Sequence, residues 1–445
     1  MSKSKIVILG AAESGTGAAL LAKKQGYDVF VTDAGMIQPQ YLKLLKENSI
    51  RFESGKHTTS EILDAGEVIK SPGIPDKSEI VQTIRSKGIP VISELEFAYR
   101  FTDAKMICIT GTNGKTTTTL LTYHILKKAG FNVGLGGNIG KSFALQVAEN
   151  NFDHFVLEVS SFQLDGMYDF KADISILTNI TADHLDRYDY KLQNYVDSKF
   201  RITQNQTGAD RFIYCADDQL TMEEITKKKF NVQMHPFSIH KKDGMTAYLE
   251  NEQLTIQLNN QFSMSIKDLA LQGKHNLYNS MASGIAARAL EIRKDVVRES
   301  FADFENIEHR LEFVNTVHGI DFINDSKATN VNSTWYALES MQKPVIWIAG
   351  GVDKGNDYAM LMELVKKHVR AIVCLGTDNS KIIEAFKSLV PEIVETNNAT
   401  DAVREAYKLG KKGDVVLLSP CCASFDLFEN YEDRGRQFKA AVRAL

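Results

Sequence analysis

Short apolar runs and stretches with helical spacing alternate along almost the whole chain. Runs at 6–9 and 29–32 read as strands, and 18–24 between them suits a helix. Runs at 68–70 and 91–92 look like later strands of the same sheet. Another apolar run, 106–109, is followed by Leu120, Leu121, Ile125 and Leu126, which give one helix an apolar face. Residues 155–159 and 174–178 are again strand-like. From 245 to 266 the pattern has period two, with Leu254, Ile256 and Leu258 on one side, as in an antiparallel ribbon. Residues 192–204 and the alanine-rich 277–290 read as helices. Residues 313–324 read as a hairpin turning at His318-Gly319. Strands follow at 345–349, 371–375 and 415–418, each separated by a helix. Strands alternating with helices in this way predict an α/β fold with mainly parallel sheets.

At roughly 150 residues per domain, the 445 residues make about three domains. Ser93-Glu94-Leu95-Glu96 looks like a hinge, and Asn306-Ile307-Glu308-His309-Arg310 looks like a connector. The expected domains are therefore 1–94, 95–305 and 306–445, the first and last doubly wound and Rossmann-like, the middle one built on a phosphate loop. Composition is ordinary for a globular protein, with 43% hydrophobic and 24% charged residues. A net charge of −4 offers no basic field for nucleic acid. The five cysteines (Cys108, Cys215, Cys374, Cys421, Cys422) show no C-x-x-C pair and no metal-ligand spacing. Reduced thiols in a cytosolic enzyme fit them best, with a vicinal Cys421–Cys422 disulfide as the alternative. No signal-peptide core follows Met1, and no apolar run approaches the ~18 residues of a membrane span. A soluble cytoplasmic protein, a monomer with no membrane or nucleic-acid partner, is expected.

The chemistry begins after the strand 106–109. There Gly111, Thr112, Asn113, Gly114, Lys115, Thr116 and Thr117 form a glycine-bearing turn that opens a helix. Backbone N–H groups of such a turn, with the positive helix N-terminus, cradle anions. Lys115 can reach the β- and γ-phosphates of a nucleotide, and the Thr116 hydroxyl can ligate Mg²⁺. The run is a variant, because the strict P-loop places glycine five residues before Gly114, where Ile109 stands. The alternative is a plain strand-to-helix turn with a surface lysine.

A second glycine turn, Gly10-Ala11-Ala12-Glu13-Ser14-Gly15, follows the first strand, and Asp33 ends the second. This resembles a dinucleotide fingerprint and makes an NAD-dependent dehydrogenase a competitor. Ala12 stands where the middle glycine should let backbone approach a pyrophosphate, and a dehydrogenase has no use for a second phosphate loop. With Ser71-Pro72-Gly73 at another strand end, the turn could instead hold the pyrophosphate of a different nucleotide, or be structural only.

Glu158 ends a buried run at a strand's C-terminal edge, where ligands bind in open α/β sheets. As a hard oxygen donor it could complete a Mg²⁺ site begun by Thr116. His184, after another strand end, could ligate a second metal or orient a substrate; a lone loop histidine usually does neither. Lys199 taken alone is surface charge on its helix. Asn276 and Asn279 share one helix face and could read an adenine edge, although helix capping explains Asn276 equally well.

Taken in order, Gly111-Thr112-Asn113-Gly114-Lys115-Thr116-Thr117, Glu158, Asp183-His184, Gly273-x-His275-Asn276-x-x-Asn279, His309-Arg310 and 324–330 (Asn-Asp-Ser-Lys-Ala-Thr-Asn) resemble the motif set of the Mur ligases. The resemblance covers the whole chain. It implies a UDP-binding first domain, an ATPase central domain and a Rossmann-like C-terminal domain that binds the amino acid. The run 158–164 (Glu-Val-Ser-Ser-Phe-Gln-Leu) resembles that of the members that add D-glutamate to UDP-N-acetylmuramoyl-L-alanine, as do 349–355 and 419–426.

The resemblance further implies residue roles. Lys115 and Thr116 would bind ATP phosphates and Mg²⁺, with Glu158 a metal ligand. His184 and a carbamylated Lys199 would hold a second Mg²⁺. Asn276, Asn279, His309, Arg310, Asp325 and Lys327 would hold ATP. The UDP-sugar would lie against Gly15, Asp33, Ser71, Gly73, Asn138, Ser160 and Gln163. D-Glutamate would be positioned by Thr329, Lys354, Ser424 and Tyr431, the last standing where the family often has phenylalanine. The implied reaction phosphorylates the alanine carboxylate with ATP, then lets the amine of D-glutamate attack the acyl phosphate, with the third domain closing over the second to exclude water. His184 is a candidate for the base. A folylpolyglutamate-type ligase and a non-catalytic nucleotide sensor remain as alternatives.

Overall fold

The computed structural model describes residues 3–304 and 308–445, which fall into two compact units divided after Phe304. The expected boundary at 305/306 and the first two residues of the expected connector lie outside the described residues.

The first unit carries two sheets. One is wholly parallel, built from β1 (Lys3–Leu9), β2 (Tyr27–Asp33), β3 (Arg51–Ser54), β4 (Glu67–Lys70) and β5 (Val91–Ile92), in the order β3-β2-β1-β4-β5. The other has nine strands: β6 (Lys105–Thr110), β7 (Val133–Gly137), β8 (His154–Glu158), β9 (Ile174–Leu177), β10 (Arg211–Cys215), β11 (Gln233–Ser238), β12 (Ala247–Glu250), β13 (Gln253–Ile256) and β14 (Phe262–Ser265). Its order is β14-β13-β12-β11-β10-β9-β6-β8-β7. The parallel part is buried on both faces, so its strands are continuous apolar runs such as 106–109. The edge from β12 to β14 is antiparallel, and its period-two pattern is the ribbon expected from the sequence. Leu258 lies beyond the end of β13, outside that ladder.

The expected hinge, 93–96, contains the start of a helix. Ser93 caps Glu94–Tyr99 by accepting from the Glu96 N–H at 3.2 Å. Glu96 is buried and accepts from the backbone N–H groups of Tyr168, Asp169 and Phe170. Glu94 is equally buried and accepts from Ser142 Oγ at 2.7 Å and from the Ala144 N–H at 2.6 Å. Acidic side chains that look exposed in sequence therefore satisfy donors distant in the chain. Leu95 and Phe97 join a core shared by both sheets, with Ile8, Val31, Phe143 and Phe155. The helix Glu13–Lys24 packs on the helix Phe143–Glu149, and Gly17 permits the approach: a Cβ there would lie 2.0 Å from Ser142 Oγ.

The second unit has one sheet: β15 (Glu312–Val317), β16 (Ile320–Asn324), β17 (Val345–Gly350), β18 (Val369–Leu375), β19 (Ile393–Thr396) and β20 (Val415–Cys421), in the order β15-β16-β20-β17-β18-β19. Only the β15–β16 hairpin is antiparallel, and it turns at His318-Gly319 as expected. Helices cover both faces of its buried strands. The loops after β1, β6, β8, β16, β17 and β20 leave the C-terminal ends of parallel strands, where open α/β sheets bind ligands, whereas the run 273–279 follows the antiparallel edge and His309-Arg310 precede β15.

Candidate active site

The phosphate loop leaves β6, with β8 and β9 on either side. Register pairs Ile109 with Glu158 and Thr110 with Leu177, so the loop and Glu158 emerge side by side. Gly111 (φ 143°) and Gly114 (φ 82°) take backbone conformations that L side chains avoid, and a Cβ at Gly114 would lie 2.4 Å from Asn279 Oδ1. Gly114 is the N-cap of the helix Lys115–Lys128, so the positive helix end faces the loop. Lys115 Nζ donates to the carbonyls of Gly111 and Thr112 at 2.9 and 2.8 Å, holding its charge over the turn. Thr112 Oγ1 lies 3.1 Å from Tyr195 Oη, and the Asn113 N–H donates to Asn179 Oδ1 at 3.0 Å. Thr116 and Thr117 are buried on the first helical turn.

Glu158 is 1% exposed. Its Oε1 accepts from Asn138 Nδ2 at 2.8 Å, and its carbonyl accepts from the Asn138 N–H at 2.7 Å. The structure thus joins two residues predicted separately. Lys199 is no surface charge: it is 2% exposed, its Nζ donates to Thr110 Oγ1 at 3.2 Å and lies over the Tyr195 ring. Burial, and then the neighbouring Lys115 cation, push its ammonium well below the usual range, although Asp183, Glu158 and Asp165 pull the other way. A lysine pushed toward its neutral form gains nucleophilic character. His184 has φ 52°, packs edge-on against Phe162, and its N–H donates to Asp183 Oδ1 at 2.9 Å.

Other assignments look different in three dimensions. Ser160 and Gln163 form a capping box on the helix Ser161–Leu164, Ser160 N and Oγ each donating to Gln163 Oε1 at 2.9 Å. Asn276 does not cap its helix; Gly273 does, while Asn276 Nδ2 donates to the Gln272 carbonyl. Asn279 accepts from Thr118 Oγ1 at 3.1 Å and donates to Asn276 Oδ1, so it braces the phosphate loop from behind.

In the first sheet, a cavity of about 680 Å³ opens at the C-terminal strand ends, with Gly10, Asp33, Ser71 and Gly73 in its wall. Asp33 accepts from the Ala11 N–H at 2.7 Å and the Gly35 N–H at 2.8 Å, tying the glycine turn to β2. Gly15 does not line the cavity. It is buried in the helix where a Cβ would meet the Gly10 carbonyl at 1.8 Å, so it serves close helix–strand packing.

In the second unit, Asp325, Lys327 and Thr329 follow β16, Lys354 follows β17 and Ser424 follows β20. Backbone bonds between Val352 and Ala423 bring the last two loops together. Burial pushes the Asp325 carboxyl up to about 7, against the opposing pull of the Ser419 hydroxyl, Arg310 and the Leu311 N–H. His309 is buried, its Nδ1 2.8 Å from Asn324 Nδ2. Lys327 Nζ lies 5.1 Å from the Tyr431 ring centroid. Sequence reasoning missed Arg434, which is 1% exposed and donates to Ser326 Oγ and to the Ser326, Gly350 and Cys422 carbonyls. It binds the three loops together from the first turn of Tyr431–Arg443; its place three residues after Tyr431 was the available signal.

Among the described residues, no three His, Cys, Asp or Glu side chains converge as a ready-made metal site. The Thr116 hydroxyl and the Glu158 carboxylate are hard oxygen donors of the kind that suit Mg²⁺, which takes one or two protein oxygens and completes its shell with phosphates and water.

Three family models match the chain in sequence: an N-terminal domain of the Mur ligase MurD-like type over 4–93, a Mur ligase middle domain over 109–287, and a Mur ligase glutamate ligase domain over 309–422. A UDP-N-acetylmuramoylalanine–D-glutamate ligase of Christiangramia forsetii is 57% identical over 99% of both chains. Enzymes of the same name from Bacteroides fragilis and Porphyromonas gingivalis are 56% and 51% identical, each covering at least 99% of both chains. Among solved structures, the UDP-N-acetylmuramate–alanine ligase MurC of Thermotoga maritima superposes with a TM-score of 0.64 at 19% identity, over 99% of this chain and 100% of that one. The MurF ligase of the same organism, in complex with ADP, gives 0.62 at 14% identity, over 94% and 95%. At those identities the structures speak for the fold alone. With sequence models on all three parts, near-full-length relatives above half identity and the same α/β architecture, the chain belongs to the Mur ligase family.

Proposed function

We propose that this ligase joins D-glutamate to the alanine carboxylate of UDP-N-acetylmuramoyl-L-alanine with ATP, by way of an acyl phosphate, as a cytoplasmic monomer in peptidoglycan synthesis. The observation that carries the chemistry is the meeting, at the ends of β6 and β8, of a phosphate loop, a buried carboxylate and a buried lysine pushed toward its neutral form. The relatives' shared name supports the substrates. All five cysteines are free, and no described helix is long and apolar enough to cross a membrane. We divide the work into 1–94 for the UDP-sugar, 95–305 for ATP and 306–445 for the amino acid.

A free carboxylate does not form an amide at neutral pH, because oxide is too poor a leaving group. Phosphorylation supplies a good one. The backbone of Gly111–Thr117 and the Lys115 ammonium would hold the triphosphate in line and neutralise charge as the γ-phosphoryl moves to the carboxylate. Lys199, as a neutral amine, would add CO₂ and release a proton, becoming a carbamate. Thr116, Glu158, His184 and that carbamate would hold up to two Mg²⁺ ions, which when bound supply further charge neutralisation to the phosphates. Asn138, fixed by Glu158, would orient the UDP-sugar near its reacting end, with Ser160, Gln163, Asp33, Ser71 and Gly73 also against it. Asn276, Asn279, His309, Arg310, Asp325 and Lys327 are assigned to ATP, and Thr329, Lys354, Ser424 and Tyr431 to D-glutamate.

The test is phosphate release from ATP with UDP-N-acetylmuramoyl-L-alanine across a panel of amino acids. Release is expected to require D-glutamate, and oxygen-18 placed in the alanine carboxyl should appear in the phosphate. Product formed without transfer of label would end the acyl-phosphate reading. Equal turnover with L-glutamate would end the substrate assignment.

A further inference from the structure

His57 also lines the cavity at the end of the first sheet and stands outside every motif. Its Nδ1 lies 2.7 Å from Thr32 Oγ1, and that hydroxyl lies 2.7 Å from Glu53 Oε1. Glu53 also accepts from Thr58 N and Oγ1 at 2.7 and 2.6 Å. Burial would raise the Glu53 pKa, but these hydrogen bonds outweigh it and hold the carboxyl below its usual range. An ionised carboxylate only accepts, as does the Lys56 carbonyl 3.2 Å from Thr32 Oγ1, so the one hydroxyl proton of Thr32 goes to one of these two acceptors. The Thr32 oxygen can then only accept from the imidazole. That places the neutral ring's proton on Nδ1 and leaves Nε2 a lone pair on the ring edge turned from Thr32.

The cavity has a polarity. Its Gly10–Ala12 side opens the helix Glu13–Lys24 at the positive end, which suits a diphosphate. His57 and Asp33 lie beyond it, at the ends of β2 and β3, where the base of a nucleotide so anchored would reach. We infer that His57 is a specificity residue for the base, its Nε2 accepting the N3–H of uracil and rejecting cytosine, whose N3 is itself a lone pair. The inference rests on the reading of this cavity as the UDP site.

The full-length protein is titrated with UDP and with CDP by calorimetry. Wild type should favour UDP. His57→Phe keeps a ring but no acceptor, and the UDP:CDP affinity ratio should fall roughly ten- to a hundredfold, through weaker UDP binding. His57→Gln, whose amide carbonyl can accept, should recover part of the ratio. Thr32→Val cuts the relay, frees the tautomer and should lower the ratio with the fold unchanged by circular dichroism. An unchanged ratio in His57→Phe, or equal weakening of both nucleotides, overturns the role of His57 while leaving the UDP site standing. Binding of neither nucleotide by wild type overturns the cavity assignment and this inference with it.

Discussion

Glu94 is the buried acid whose removal has a calculable sign. Burial drives its pKa from 4.5 to about 7, with Glu13 adding to the rise, while the Ala144 N–H and the Ser142 hydroxyl pull it down. The unfolded chain releases the proton near 4.5, but the folded chain keeps it to about 7. Between these values the native state binds more protons, so stability falls as pH rises through that window and is level above it. At about 1.4 kcal/mol per pH unit, the cost accumulated by pH 8 is about 3 kcal/mol, an upper figure for a group so buried. Glu94→Gln keeps an oxygen acceptor for Ser142 Oγ and the Ala144 N–H but never ionises. It should match wild type near pH 4.5 and become the more stable protein by up to about 3 kcal/mol at pH 8. Urea unfolding of both proteins across pH 4.5–8.5 reads the difference, and subtraction removes other titrating groups such as Asp325. A difference that stays flat with pH would refute the reasoning, and one of opposite slope would show the native carboxylate to be stabilised by its neighbours.

Three further outcomes are expected. Lys115→Ala should cut ligation by at least about a hundredfold with an unchanged circular dichroism spectrum; near-normal turnover removes the phosphate-loop role. Lys199→Ala should be inactive and recover partly in millimolar short carboxylic acids, which replace a carbamate in the cavity; full activity without them, or no recovery at any concentration, counts against the carbamate. Gly17→Ala should lower stability by about 1–3 kcal/mol, because its Cβ would stand 2.0 Å from Ser142 Oγ; an unchanged melting temperature would mean the helices separate without cost.

What the sequence disclosed was local. The strand–glycine turn–helix at 106–117 and the hairpin turning at His318-Gly319 depend on neighbours a few residues apart, and both stand where the pattern put them. The strands Arg51–Ser54 and Ile393–Thr396 lie at sheet edges, are half-buried or exposed, and carry no apolar run. Val133–Gly137 is glycine-rich, against ordinary strand preference. The run 93–96, read as a hinge, has non-local ties that its sequence does not show: two of its acids satisfy donors at 142–144 and 168–170. The same holds for the site. Lys199 looked like surface charge because nothing near it in sequence reveals that its helix turns it toward Thr110. Ser160-x-x-Gln163 carried a capping signature that the substrate reading overshadowed. His57 matters through Thr32, 25 residues away, and Arg434 through partners 12 to 108 residues away.

The loop 138–142 shows why Glu94 bears on function as well as stability. At one end Asn138 is tied to Glu158 through backbone and side chain. At the other, Ser142 donates from N to Glu13 and from Oγ to Glu94. The loop therefore couples the sheet carrying the cavity of Gly10, Asp33 and Ser71 to the sheet carrying the phosphate loop. In the proposed reaction a UDP-sugar held by the first would present its carboxylate to the second, and misplacement by about 1 Å can cost on the order of a hundredfold in rate. Glu94→Gln preserves the acceptor and should leave turnover within a few-fold of wild type. Glu94→Ala removes it, leaves the Ser142 hydroxyl and Ala144 N–H buried without that partner, and should raise KM for the UDP-sugar while leaving KM for ATP nearly unchanged. If the alanine variant folds and both constants stay at wild-type values, the loop is positioned by Glu13 and packing alone. If both rise together, the damage has spread to the phosphate loop and the coupling is not specific to the sugar substrate.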